Sequence, residues 1–301
     1  MRASVWAALA IVGLVATESL AVTPIPRAYY DFEQIDSGEY FRNVANSGVF
    51  DGYLGTSNDT ANHPDVVPGL HGSLHALKFD SSDIARVPSL VTDANGDRVD
   101  EDVFRGAFSV FARIDPANVV QTHIFNVDRG PVNAETVRGW YMDFSDSPAN
   151  TSGERLLKPR FNAGGSLVYL EQAESETTNY KNVESVGITW LPASVPGSTT
   201  DGAMQIYING ALYAGKSHSL GPLLMGVQGF NIGRDEKVSF GQGIVIDDVA
   251  VWDRFLTPAE MLEVHTQGVT LPEPGTYGLA AGGVLTLALI HLLRRRVSPQ
   301  N

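Results

Sequence analysis

The chain has 301 residues, a formal net charge of −13 and no cysteine. The missing thiol excludes cysteine nucleophiles, disulfides and thiolate metal sites. The acidity speaks against a phosphate-neutralising patch, so no nucleic-acid partner is expected; it suits solubility and divalent cations better.

In chain order, the first 21 residues read as a secretory signal peptide. Arg2 supplies the positive start, Val5 to Ala16 the apolar stretch and Ser19-Leu20-Ala21 the small-x-small cleavage site. Residues 22–270 form one all-β domain, long enough to bury a core without disulfides. Its strands are short and punctuated by turns. They run from Ala28 to Glu33, within Gly69 to Asp80, from Ala107 to Ile114, from Thr122 to Val127, from Gly139 to Phe144, from Arg160 to Tyr169 and from Val186 to Trp190. Met204 to Tyr213 is a hairpin, because Asn209-Gly210 supplies the two positive-φ positions of a type I′ turn. Phe230 to Arg234 and Gly243 to Trp252 are further strands. One helix follows: Thr257 as N-cap, Pro258 at the first helical position, Glu260 as capping-box partner and Gly268 as stop. Many short strands of this kind predict a β-sandwich.

The tail has three parts. Pro272-Glu273-Pro274 breaks regular structure. From Thr276 to Leu293 there are 18 residues without formal charge, about 27 Å as a helix, enough to cross a bilayer core. Arg294, Arg295 and Arg296 follow as the basic stop of the positive-inside rule. In this order, residues 271–296 resemble a PEP-CTERM sorting signal of Gram-negative bacteria. The resemblance implies secretion, a single transmembrane helix over 276–293 held in the inner membrane, processing by the membrane protease exosortase at the motif, and delivery to the cell surface or extracellular matrix.

Within the domain, Tyr30-Asp31-Phe32-Glu33, Gly69 to Asp80, Gln205 to Gly210, Asn231-Ile232-Gly233 and above all Ile246 to Glu260 resemble the LamG-like members of the concanavalin A-like lectin/glucanase superfamily. This implies a jelly-roll β-sandwich that binds sugars or proteins, frequently with bound calcium, and does not imply catalysis. Two features depart from the family: its Trp-His is replaced by Asn182 to Ser185, and an acidic loop, Asp93 to Asp102, is added.

Glu33, Asp51 and Asp247 are the family-matched ligands for Ca2+, which needs six to eight hard oxygens. Asp247 shares strand parity with Val245, Val249 and Val251, so in a flat strand it faces inward and needs a cation or donors. The competing reading gives Asp247 or Asp248 hydrogen bonds from backbone or Arg254. Tyr40, Tyr53 and Tyr180, in polar loops, are expected to stack on a ligand, whereas Trp140 and Trp190 belong to the core. Two alternatives remain. One is a polysaccharide lyase or glycoside hydrolase on the same fold, with His123 and Tyr169 in lyase-like positions; no glycosidase pair is legible among Glu171, Glu174 and Glu176. The other is a structural matrix protein without a specific ligand. The expectation carried forward is a non-catalytic binding protein whose partner is an exopolysaccharide or a surface protein.

Overall fold

The computed structural model describes residues 24–36, 40–46, 50–55, 62–80, 83–87, 106–116, 122–127, 140–147, 156–163, 168–171, 178–179, 182–223, 230–233 and 243–271. Among them are 18 strands in two antiparallel sheets and one helix.

Sheet A has eight strands. Its order is β16 (Ala211–His218), β15 (Gly202–Ile208), β14 (Ser185–Leu191), β8 (Phe108–Asp115), β18 (Ile244–Trp252), β6 (His75–Phe79) and β5 (Asp65–Pro68), with β1 (Ala28–Tyr30) also on β18. Sheet B has ten strands. Its order is β12 (Val168–Glu171), β11 (Leu156–Ala163), β10 (Trp140–Ser147), β9 (Thr122–Val127), β17 (Phe230–Ile232), β7 (Ala85–Val87), β4 (Gly52–Leu54), β3 (Tyr40–Phe41) and β2 (Ile35–Asp36), with β13 (Thr178–Asn179) on β11. The run from Arg160 to Tyr169, expected as one strand, is the end of β11 and the start of β12, which pair antiparallel with Asn162 opposite Tyr169.

The core lies between the sheets. Phe108 of sheet A stacks on Trp140 of sheet B at 5.1 Å, and Trp140 reaches Phe230 at 6.2 Å. Trp140 and Trp190 are fully buried, as their strand positions predicted. Burying rings of this size is among the larger single stabilising terms available, about 1.5–3 kcal/mol each before packing is counted. Gly52 is required here: a Cβ on it would lie 2.1 Å from the Phe41 ring that fills the core side of β4.

The helix, α1 (Pro258–Gln267), covers the other face of sheet A. Met261 and Val264 pack against Phe111, Tyr207, Ala250, Trp252 and Leu256 in a second apolar cluster. Gly187 leaves the room, since a Cβ there would stand 2.6 Å from the Met261 sulfur. The caps are those the sequence predicts. Thr257 Oγ1 accepts from the Glu260 N–H at 3.3 Å, the Glu260 carboxylate accepts from the Thr257 N–H at 2.8 Å, and Gly268 ends the helix at φ 82°. The Asn209-Gly210 turn likewise has both φ positive, 51° and 72°.

The expected localisation is corrected. No helix among the described residues is long and apolar enough to cross a membrane. The one helix described has ten residues, about 15 Å, half the thickness of a hydrocarbon core. A C-terminal anchoring helix is therefore not supported, and with it the inner-membrane stage and surface delivery. The signal peptide, the tail with Pro272, Glu273, Pro274 and Arg294 to Arg296, the acidic loop from Asp93 to Asp102, and Tyr180 lie outside the described residues.

Candidate functional site

Polar groups gather on the two outer faces of the sandwich, and they are used differently. On sheet A the centre is a bulge in β18. Asp247 lies opposite Arg113, but the next partner of β8, Phe111, lies opposite Ala250, so β18 carries one extra residue. Asp248 takes up the difference with φ 50°. Parity reverses across it: Ile244 and Ile246 enter the inter-sheet core before the bulge, Val249 and Val251 after it. The flat-strand expectation for Asp247 fails for this reason. Asp247 shares the outer face with Val245 and Arg113, not the core face with Val249.

Asp247 is nevertheless fully buried, because the turn between β5 and β6 closes over it. Its Oδ2 accepts from the Leu70 N–H at 2.9 Å and from the Ser73 hydroxyl, and its Oδ1 from the Asp248 N–H at 2.8 Å. Burial pushes its carboxyl up to about 6 against the lowering effect of these donors. Asp248 accepts from the Tyr29 hydroxyl at 2.5 Å and from Arg113 Nε at 3.1 Å. Arg113 also donates to the His265 carbonyl at 3.0 Å near the end of α1, which couples the bulge to the helix. Burial, then the Asp248 charge, hold the Tyr29 phenol far above its ordinary range, so it stays a donor. Of the two donors the competing reading offered these acids, backbone is the one Asp247 uses, and Arg254 pairs instead with Glu260 at 2.6 Å.

The three residues matched to calcium are not brought together as a set. Glu33 accepts from the Leu74 N–H at 2.6 Å, on the same turn that Asp247 holds. Asp51 accepts from the Asn43 N–H at 2.8 Å, between β3 and β4. Among the described residues no group of three or more His, Asp or Glu is placed to hold a metal ion. Both oxygens of Asp247 accept from protein donors, and no step below passes through calcium.

Sheet B is different. Tyr40 stands directly opposite Tyr53, on β3 and β4 rather than in the loops expected from their polar surroundings. Tyr53 stands opposite Arg86, Arg86 opposite Asn231, and Asn231 opposite Asn126. Directly opposed residues share a face, and this is the outer one, since Phe41, Leu54, Ala85, Val87, Phe230, Ile232, Phe125 and Val127 fill the core. Arg86 Nε donates to Asn231 Oδ1 at 3.1 Å, and Asn231 Nδ2 donates to Asn126 Oδ1 at 2.9 Å. The two amides are 1% and 3% exposed, whereas Tyr40 is 55% exposed. The register continues the row: Asn126 opposite Tyr141, Tyr141 opposite Asn162, Asn162 opposite Tyr169. A second row runs beside it, His123 opposite Asp143, Asp143 opposite Arg160, Arg160 opposite Glu171. Sequence reasoning found Tyr40, Tyr53, His123 and Tyr169 separately. It missed Arg86, Asn126 and Asn231 as site residues; the only local signal of each is a polar residue between two apolar ones, for Arg86 and Asn231 in strands of three residues.

No protein-family model matches the chain, and no curated protein matches it by sequence. Solved structures do. The sialidase of Trypanosoma rangeli in complex with 2,3-difluorosialic acid is 14% identical, with a TM-score of 0.50 over 81% of this chain and 33% of that one. Domain 4 of an extracellular arabinanase from Geobacillus stearothermophilus, in complex with arabinotriose, is 16% identical, with a TM-score of 0.49 over 79% of this chain and 97% of that domain. The receptor-binding domain of a botulinum neurotoxin C/D mosaic serotype is 14% identical, with a TM-score of 0.47 over 82% of this chain and 52% of that one. The chain spans about a third of the sialidase's length. What the chain shares with the sialidase is therefore a fold, the antiparallel β-sandwich.

Proposed function

We propose that the protein is a non-catalytic glycan-binding β-sandwich. The observation that carries this reading is the direct opposition of Tyr40 and Tyr53 on the outer face of sheet B, next to Arg86. Phenol rings offer apolar faces to sugar rings while their hydroxyls reach water or ligand, and a guanidinium supplies donors in a fixed fork. The sialidase that shares the fold is in complex with a sialic acid derivative, which accords with a sugar ligand without identifying one. The finer assignment rests on sequence resemblance: a LamG-like module whose tail is cut by exosortase at Pro272-Glu273-Pro274. Intact-mass measurement after co-expression with an exosortase tests that part. Loss of mass ending at the motif supports it, and an unchanged mass removes it.

The second reading, a hydrolase or lyase, is favoured by one observation. Asp143 and Glu171 occupy one row two strands apart, about 10 Å between backbones, with His123 and Arg160 in the same row. Hydrolysis of a glycosidic bond uses two carboxyl groups, one on each side of the bond. Affinity electrophoresis of the full chain through gels cast with neutral and acidic polysaccharides separates the readings. Retardation by a glycan that keeps its length supports binding; new reducing ends establish a hydrolase and new unsaturated ends a lyase. Passage through every gel without retardation overturns both.

A further inference from the structure

We propose that His218 is a proton-operated latch: when its imidazole takes up a proton, the loop between β14 and β15, residues 192–201, comes away from the segment that follows β16. The latch goes beyond the glycan-binding reading and does not depend on it.

The loop is fastened to that segment by its backbone. The Ala193 N–H donates to the Leu220 carbonyl at 2.8 Å, and the Gly197 N–H to the Ser219 carbonyl at 2.7 Å. Pro196 packs on Gly221, where a Cβ would stand 2.5 Å from its ring. His218 in turn holds the segment that supplies these acceptors, because the Leu220 N–H donates to its Nδ1 at 3.1 Å. The imidazole lies flat on Trp190, with ring centroids 4.0 Å apart and planes at 14°, and is only 5% exposed. Gly202, opposite it on β15, makes the space: a Cβ there would stand 2.4 Å from the imidazole.

An acceptor at Nδ1 fixes the tautomer, so Nε2 carries the hydrogen. Nε2 is buried and has no hydrogen-bond partner among the described residues. The neutral ring therefore fits with one bond made and one hydrogen unmatched. The charged ring fits with none made: a new N–H at Nδ1 meets the Leu220 N–H, and three donors are left without an acceptor. Burial holds the imidazole below its ordinary range, more strongly than the Ala203 backbone and the Asp201 charge raise it. The Trp190 face also attracts a cation, yet it offers the new N–H no acceptor. Nor does Asp201, whose two oxygens are taken by Ser194 and Thr199 inside the loop. Lys216, two residues back on β16, is exposed. From sheet B, β11, which carries Lys158 and Arg160, packs against β15, and β12, which carries Glu171, packs against β15 and β16. The sign follows from burial. A folded-state value below the ordinary 6.5 keeps the latch closed above that pH, and the latch loosens as pH falls below it.

The test follows amide hydrogen exchange in the full chain from about pH 7.5 to about pH 4.5, corrected for intrinsic rates, beside the NMR titration of the histidine ring carbons. The Ala193 and Gly197 amides are expected to exchange roughly fivefold faster in acid, the worth of about one hydrogen bond, with the same midpoint as His218. His218→Asn places a carbonyl oxygen near the position of Nδ1 and does not titrate, so both amides should stay protected throughout. His218→Phe keeps a stacked ring without an acceptor, so both should exchange fast throughout. Two other groups shift in this range. Asp247 gains stability on protonation, the opposite sign. His265 touches Ser185, so its protonation would be read at residues 182–187 and not in the loop. Unchanged protection in the wild-type chain overturns the latch, as does an equal loss in His218→Asn. Should the Asn variant fail to fold, the wild-type midpoints decide: coincidence of loop exchange with the His218 titration supports the latch, and separation overturns it.

Discussion

The two outer faces of this sandwich both carry polar groups and spend them in opposite ways. On sheet A, Asp247, Asp248, Arg113 and Tyr29 are hydrogen-bonded inward, to a turn, to a helix end and to each other. They close the fold. On sheet B, the row from Tyr40 through Arg86 has its fixed elements, the two amides, at the bottom and its rings toward solvent. The difference teaches that a buried acid is not by itself a sign of a site. Asp247 looks functional in the sequence because it is an acid among valines, yet every oxygen it has is committed to holding the chain together.

If that contrast is right, substitutions on sheet A cost stability and those on sheet B cost binding. The largest effect should come from Asp247→Ala. It leaves the Leu70 and Asp248 N–H groups and the Ser73 hydroxyl without their acceptor in a buried place, worth about 2–4 kcal/mol. Urea unfolding measures it, and a loss under roughly 0.5 kcal/mol would break the comparison. Next is the pH dependence. The Asp247 carboxyl titrates near 6 when folded and near 3.8 when unfolded. The folded state therefore binds the extra proton between those values, and stability rises as pH falls. From pH 7 to pH 5 the gain from this group is about 1.3 kcal/mol. The Asp31 carboxyl, also raised by burial, works in the same direction. Asp247→Asn should flatten the slope; an identical slope would reassign it. Thr257→Ala removes the helix cap and should cost about 1 kcal/mol, read as a lowered thermal midpoint. Smallest is Tyr40→Ala. At 55% exposure it should change stability by less than about 0.5 kcal/mol, and a larger loss would mean that sheet B's outward residues are structural after all.

Much of this was legible along the chain. The hairpin at Asn209-Gly210 and the helix from Thr257 to Gly268 are local events: a turn chemistry and a capping box act over a few residues, so their signals are contiguous. Long strands with alternating apolar residues were legible for the same reason. Strands of two or three residues were not. The segments β3, β4 and β7 are too short for a period to register, and they exist because neighbouring strands supply their hydrogen bonds.

The candidate site divides along the same line. Tyr40 and Tyr53 could be singled out as aromatic residues in polar company, but nothing in the sequence says that they are neighbours, 13 positions apart, or that Arg86 comes next. Nor does it show that β18 bulges at Asp248, which alone turns Asp247 from the core face to the outer face. Composition, turn residues and caps are enough to establish an acidic, thiol-free, strand-rich chain with a late capped helix, because each is set by the backbone and its immediate neighbours. Which side chains share a face is a matter of register between strands far apart in sequence, and a single extra residue in one strand reverses it.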